Sequence, residues 1–154
     1  MLVINSEAVD FVLEDQSGKT VKLFDYKGSW VVLYFYPKDD TPGCTKEACS
    51  FRDNFHTLEK MGVSILGVSR DSVASHQKFA DKYKLNFPIL SDPDKKVIES
   101  YGAWRQKKFF GKSFDGIARM TYLIDPLSRI KKIYEKVNPL VPAGQIIEDM
   151  LALK

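Results

Sequence analysis

Two cysteines five positions apart, Cys44 and Cys49, are the side chains of this sequence best suited to covalent chemistry. The first closes the stretch Asp39-Asp40-Thr41-Pro42-Gly43-Cys44. Thr41 and Pro42 read as the N-cap and first residue of a helix, because proline lacks the N–H that would be unpaired there. Cys44 then falls in the first helical turn, beside unpaired backbone N–H groups and the positive end of the helix dipole, a setting that favours a thiolate. Gly43 lets another molecule approach the backbone without meeting a Cβ. An ordinary thiol of pKa ~8.5 is only about 3% ionised at neutral pH, and bringing it to about 6 takes roughly 3.4 kcal/mol. A helix terminus supplies at most about 2 kcal/mol. A fixed cation is therefore needed near the sulfur, and local spacing offers only Lys38 and Lys46.

The spacing of the two cysteines carries a second consequence. Five residues of helix rise about 7.5 Å and turn roughly 500°, whereas a disulfide holds its Cα atoms about 4.4–6.8 Å apart. Cys44 and Cys49 cannot join inside an intact helix, so the helix start must unwind before they do. Cys44 extends an apolar stripe with Ala48 and Phe51, while Cys49 shares the polar face with Arg52, Asp53 and His56. The bland alternative is that each cysteine is a small buried side chain, and the spacing is not the C-x-x-C of dithiol redox motifs. Cys44, Cys49 and His56 form a conceivable metal trio, but Cys-x4-Cys is poor zinc spacing and a tetrahedral site needs a fourth ligand. No metal is expected, and His56 and His76 read as solvated helix histidines.

The elements that must position these residues are legible in the apolar pattern. Val31 to Tyr36, ended by Pro37, is a continuous apolar run typical of a strand covered on both faces, and it leads directly into the cysteine segment. Val63–Ser69 is a second strand, Phe87–Leu90 a short third, and Met120–Ile124 and Ile130–Tyr134 flank Asp125-Pro126 as two more. Phe11–Leu13 and Val21–Leu23 around Gln16-Ser17-Gly18 read as an N-terminal hairpin. Ala48, Phe51, Phe55 and Leu58 make one helical stripe. Val73 to Tyr83 suggest a second helix, Val97, Ile98 and Tyr101 a third, and Ile146, Ile147, Met150 and Leu151 a C-terminal one. This order argues for an α/β protein with a central mixed β-sheet flanked by helices. Residues 102–118 show no clear period and read as a long loop.

Composition fits that frame. With 154 residues, 44% hydrophobic and 28% charged, residues 1–154 are expected to form one domain whose core needs no disulfide staples. The net charge of +3 comes from 23 basic and 20 acidic residues spread along the chain; a nucleic-acid binder concentrates its basic residues. No apolar run is long enough to cross a bilayer, and Met1 to Glu7 lack the basic and apolar segments of a secretory signal. A soluble cytoplasmic protein with reduced thiols is expected, with no nucleic-acid or membrane partner.

Phe35-Tyr36-Pro37-Lys38-Asp39-Asp40-Thr41-Pro42-Gly43-Cys44-Thr45 resembles the active-site stretch of peroxiredoxins, with Pro37, Thr41 and Cys44 on that family's Pro-x-x-x-Thr-x-x-Cys motif. Cys49 is similarly placed to the second cysteine of the bacterioferritin-comigratory, or Q-type, subfamily. Phe114 to Asp125 resembles the segment that carries the family's active-site arginine, here Arg119. The resemblance implies a thioredoxin-like fold and a monomeric thiol peroxidase acting on hydrogen peroxide and alkyl hydroperoxides without metal, haem or flavin. Cys44 would be the peroxidatic cysteine and become a sulfenic acid. Cys49 would resolve it as an intramolecular disulfide, which thioredoxin or a similar dithiol would reduce. Arg119 would be the missing cation, Thr41 would hold the peroxide or the sulfur, Pro37 would wall the pocket, and Gly43 and Glu47 would complete it.

Two stretches depart from the family pattern. Pro126-Leu127-Ser128-Arg129 lacks the glycine usual in that turn, and Asn138 to Gly144 is unlike the usual approach to the last helix. Arg105-Gln106-Lys107-Lys108-Phe109-Phe110 reads either as a solvated loop with two phenylalanines tucked beneath it or as a rim of the active-site pocket or docking patch for the reductant. Two other function classes compete. A copper or zinc carrier on the same scaffold leaves Thr41 and Arg119 without a task. A catalytically silent interaction module sits poorly with the Pro37, Thr41, Cys44 and Arg119 set.

Overall fold

The computed structural model of the chain describes residues 2–135 and 142–153. At its centre is β3 (Trp30–Phe35), flanked in parallel by β4 (Val63–Ser69) and in antiparallel by β8 (Met120–Ile124). With β1 (Val12–Glu14), β2 (Thr20–Lys22), β5 (Ile89–Ser91) and β9 (Ile130–Tyr134) they form one mixed sheet in the order β2-β1-β5-β4-β3-β8-β9. The N-terminal hairpin pairs Leu13 with Val21. Strand alternation sends Leu33 and Phe35 to one face, where Leu66, Val68, Leu90, Tyr101 and Tyr122 meet them. Val32, Tyr34 and Tyr36 go to the other face, against Ala48, Phe51, Phe79, Leu123 and Met150.

The helices lie on both faces. α4 (Lys96–Ser100) adds Ile98 to the first cluster. α1 (Pro42–Asp53), α2 (Phe55–Lys60), α3 (Val73–Tyr83) and α5 (Pro142–Leu153) cover the second. The Tyr34 ring fixes α1 to the sheet: it stacks on Phe51 at 4.8 Å between centroids. It also lies so close over Gly67 that a Cβ there would meet its Cζ at 2.8 Å. Gly67 is thus required by close approach, and Tyr34 by the surface it offers to α1.

The α/β architecture matches expectation, with two corrections. Residues 102–118 are not a loop but a separate antiparallel hairpin, β6 (Trp104–Phe109) and β7 (Lys112–Ile117), in which Phe109 pairs with Lys112. The turn residues Phe110 and Gly111 both take left-handed backbones, φ 52° and 76°, as a two-residue hairpin turn requires. No period was visible because Lys112 to Asp115 are all exposed. Phe110 is displayed at the tip, 90% exposed, rather than tucked beneath. The second correction concerns the stripe from Ala48 to Leu58, which is broken into α1 and α2 at Asn54, whose backbone leaves helical geometry (φ −105°, ψ 11°). The Asn54 side-chain amide donates to the Ser50 carbonyl at 2.8 Å and closes the first helix.

The turn without glycine is accommodated by Ser128, which takes the left-handed conformation at φ 65°. Asp125 braces it by accepting from the Leu127 and Arg129 backbone N–H groups. Of the other departure, Asn138 to Val141 lie outside the described residues, and Pro142 to Gly144 begin α5.

Candidate active site

The buried strand β3 runs through Tyr36 into Pro37 and then α1, so the first turn of α1 is set at the edge of the second core cluster. Thr41 occupies the N-cap position with an extended backbone, and Pro42 opens the helix as expected. Its hydroxyl does not cap; it donates instead to the Lys38 carbonyl at 2.9 Å. Cys44 is buried at 1% exposure on the same face as Ala48 and Phe51. Cys49 is half-buried, and both thiols are free. One unbroken helix carries them, in agreement with the argument that they cannot bridge there.

The cation comes from far along the chain. Arg119 lies between β7 and β8, where a backbone bond from Ala118 to the Ala103 carbonyl at 2.7 Å closes the base of the hairpin. Its Nη2 is 3.3 Å from Cys44 Sγ, and its Nη1 donates to Glu47 Oε1 at 2.7 Å. Lys38 and Lys46, the local alternatives, are exposed. Arg119 therefore bridges the sulfur and a carboxylate with the two arms of one rigid fork. Glu47 falls three residues after Cys44 and shares its face, a placement readable from helical spacing.

Glu47 is wholly inside, at 0% exposure. Burial pushes its pKa up to about 7, against the opposing pull of Arg119. The folded protein thus keeps a proton on Glu47 that the unfolded chain, with this carboxyl near its ordinary value of 4.5, gives up. That difference makes stability fall as pH rises through this window, by at most about 3 kcal/mol. In Glu47→Gln the fall is expected to flatten, which denaturant melts on either side of the window would read; an unchanged slope would assign the proton elsewhere. The other oxygen, Glu47 Oε2, is buried without a hydrogen-bond partner among the described residues, as are the Tyr34 hydroxyl and Thr121 Oγ1.

Cys49 has no such guanidinium bridge. Burial raises its thiol pKa, with Arg52 opposing and Asp53 reinforcing the shift. An open depression of about 380 Å³ beside it is lined by Lys46, Cys49, Ser50, Asp53 and Asn54. Pro37 and Gly43 are half-buried on either side of Thr41. Lys107 of the hairpin was not singled out as a site residue, although it belongs to the basic–aromatic run. Burial and Arg119 lower its pKa while Cys44 raises it, so its ammonium sits within electrostatic range of the site.

The histidines depart from expectation in one case. His56 is exposed, but His76 is buried completely and bonded to Asp39 and the Leu90 carbonyl. The trio Cys44, Cys49 and His56 does not assemble: the cysteines lie on α1 and His56 on α2, and they run from buried through half-buried to exposed. Among the described residues, the group of potential metal ligands is Asp39, Asp71 and His76. A direct bond of 2.6 Å already joins His76 Nδ1 to Asp39.

Comparison with known proteins agrees with the geometry. The sequence model of the AhpC/TSA family matches residues 4–133. The putative peroxiredoxin bcp of Coxiella burnetii is 51% identical over 135 residues, 88% of this chain and 89% of that one. Peroxiredoxin Bcp of Bacillus subtilis is 46% identical over 150 residues, 96% of each. Among solved structures, the Xanthomonas campestris bacterioferritin comigratory protein, studied for alkyl peroxide reduction, superposes with a TM-score of 0.90 at 35% identity, covering 99% of this chain and 98% of that one. A cysteine-to-serine mutant of Xylella fastidiosa PrxQ gives 0.94 at 32% identity, with 99% and 98% covered. The chain belongs to the AhpC/TSA family and, within it, to the bacterioferritin-comigratory, Q-type peroxiredoxins, thiol peroxidases built on a thioredoxin-like fold.

Proposed function

We propose that this peroxiredoxin reduces hydrogen peroxide and alkyl hydroperoxides at Cys44, with Cys49 as the resolving thiol and thioredoxin or a similar dithiol as the reductant. The observation that carries the reading is Arg119, which contacts Cys44 Sγ with one arm and Glu47 with the other. A cation at that distance favours the thiolate and faces the charge that develops on the peroxide oxygens. The Cys44 thiolate attacks one peroxide oxygen, the O–O bond breaks, and the departing oxygen takes a proton to leave as water or an alcohol. Cys44 is now a sulfenic acid. Cys49 attacks that sulfur, an S–S bond forms, and water leaves. Thiol exchange with the dithiol reopens the bridge.

Thr41 would orient the peroxide through its hydroxyl, whose lone pairs stay available while its hydrogen is directed at Lys38. Pro37 and Gly43 would shape the approach, and Glu47 would hold Arg119 in place. Resolution requires the start of α1 to unwind, because its intact geometry keeps the sulfurs apart. With both thiols on one helix, a monomer can complete the cycle. A reducing compartment such as the cytoplasm suits a bridge that must be reopened. No described helix is long and apolar enough to cross a membrane.

Cys49→Ser tests the assignment. One equivalent of peroxide is expected to leave a sulfenic acid on Cys44 that dimedone labels in full, with turnover by a dithiol reductant lost. An unlabelled variant that still cycles would mean that the resolving thiol comes from elsewhere.

A further inference from the structure

We propose that His76 is a positioning residue for peroxide reduction: through Asp39 it clamps the segment from Pro37 to Thr41 that walls the Cys44 pocket. The proposal rests on the peroxidase reading above. Asp39 lies two residues before Thr41, outside the Pro-x-x-x-Thr-x-x-Cys positions. Its carboxylate accepts three hydrogen bonds, from the Tyr36 hydroxyl at 2.6 Å, the Ser75 hydroxyl at 2.8 Å and His76 Nδ1 at 2.6 Å. Its backbone N–H donates to Asp71 Oδ2 at 2.9 Å, which also accepts from the Ser69 hydroxyl at 2.7 Å. The far ring nitrogen of His76, Nε2, is 2.9 Å from the Leu90 carbonyl. Each ring nitrogen thus faces an oxygen acceptor, and the ring is held at both ends. The His76–Asp39 contact at 2.6 Å joins groups shielded from water, with side chains 0% and 4% exposed.

The next residue adds a second tie. Asp40 has a left-handed backbone, φ 57°, an uncommon conformation for a non-glycine residue. Its carboxylate accepts from Lys82 Nζ and the Tyr83 hydroxyl, both at 2.8 Å, at the last turn of α3. That pair is exposed and contributes little, so the buried His76–Asp39 pair is the stronger half of the clamp.

The partners of Asp39 belong to the end of β3, the end of β4 and α3, and His76 reaches on to β5; none belongs to α1. The clamp therefore persists when the start of α1 unwinds to let Cys44 meet Cys49. It keeps Thr41 and the pocket wall in place while the cysteine leaves and returns. A side chain that sets such geometry acts on rate, because small displacements of a reacting pair are costly.

Two substitutions separate this role from simple core packing. In His76→Asn the amide nitrogen can stand where Nδ1 stands and keep the donor to Asp39. In His76→Gln it can reach the Leu90 carbonyl instead, and Asp39 loses its donor. The second-order rate of Cys44 oxidation by hydrogen peroxide is measured in each reduced variant, with the melting midpoint and the thiolate absorbance alongside. His76→Gln is expected to slow oxidation by about tenfold or more with an unchanged thiolate fraction, and His76→Asn to stay within about threefold of wild type. Equal slowing in both, in step with lost stability, or a wild-type rate in His76→Gln, would overturn the proposal. Should neither variant fold, Asp39→Asn is read instead: slowed oxidation supports the clamp and a wild-type rate overturns it. Wild-type protein oxidised in parallel keeps failure of this role distinct from failure of the peroxidase reading.

Discussion

Cys44→Ser is expected to abolish peroxide turnover, by more than about a thousandfold, the scale on which loss of a covalent nucleophile acts. Arg119 can hold a thiolate at 3.3 Å, but a serine hydroxyl at the same place stays protonated at neutral pH and is a weak nucleophile. The exchange changes size little inside the tight second core cluster, so circular dichroism and the melting transition should move far less than activity. Peroxide consumption with a dithiol reductant in excess reads the result. Retained turnover in a folded Cys44→Ser protein would move the nucleophile to another residue.

Arg119→Ala is expected to slow the oxidation of Cys44 by about a hundredfold to a thousandfold, the range found when one preorganised electrostatic donor is removed. Two losses combine. The thiolate loses its adjacent cation, and so does the charge building on the peroxide oxygens. Glu47 is meanwhile left buried with neither oxygen bonded to Arg119, and it answers by holding its proton more tightly. Arg119→Lys keeps the charge but not the two-armed fork, and its rate should fall between those of Arg119→Ala and the native protein. Thiolate absorbance titrations and stopped-flow rates separate the effects. A native rate in Arg119→Ala would remove the arginine from the account.

How much of this was legible in the sequence depended on how local the cause was. The placement of Cys44 at the start of α1 followed from Thr41, Pro42 and the apolar run before them, all within a few residues. That Cys44 and Cys49 cannot bridge while α1 is intact followed from helix geometry alone. Arg119 is distant in sequence, and only the resemblance of its segment to a known family pointed to it. The β6–β7 hairpin shows no alternation to read because β7 is exposed from Lys112 through Asp115. The break at Asn54 was hidden by a stripe that continues across it, since Phe51 and Leu58 are both fully buried. His76 was misread because its partners, Asp39 and the Leu90 carbonyl, come from two other elements. Nothing in the spacing of a lone helix histidine announces a buried carboxylate opposite it. Thr41 was placed correctly, but its hydroxyl serves the Lys38 carbonyl, a choice between two nearby acceptors and donors that local sequence does not decide.

The central claim is tested most directly by mixing reduced protein with one equivalent of hydrogen peroxide in a stopped-flow instrument and then mapping which cysteines are linked. The account predicts oxidation far faster than that of a free thiol, ending in a Cys44–Cys49 bridge within single chains. Oxidation at a free-thiol rate, or a product without that bridge, would contradict it.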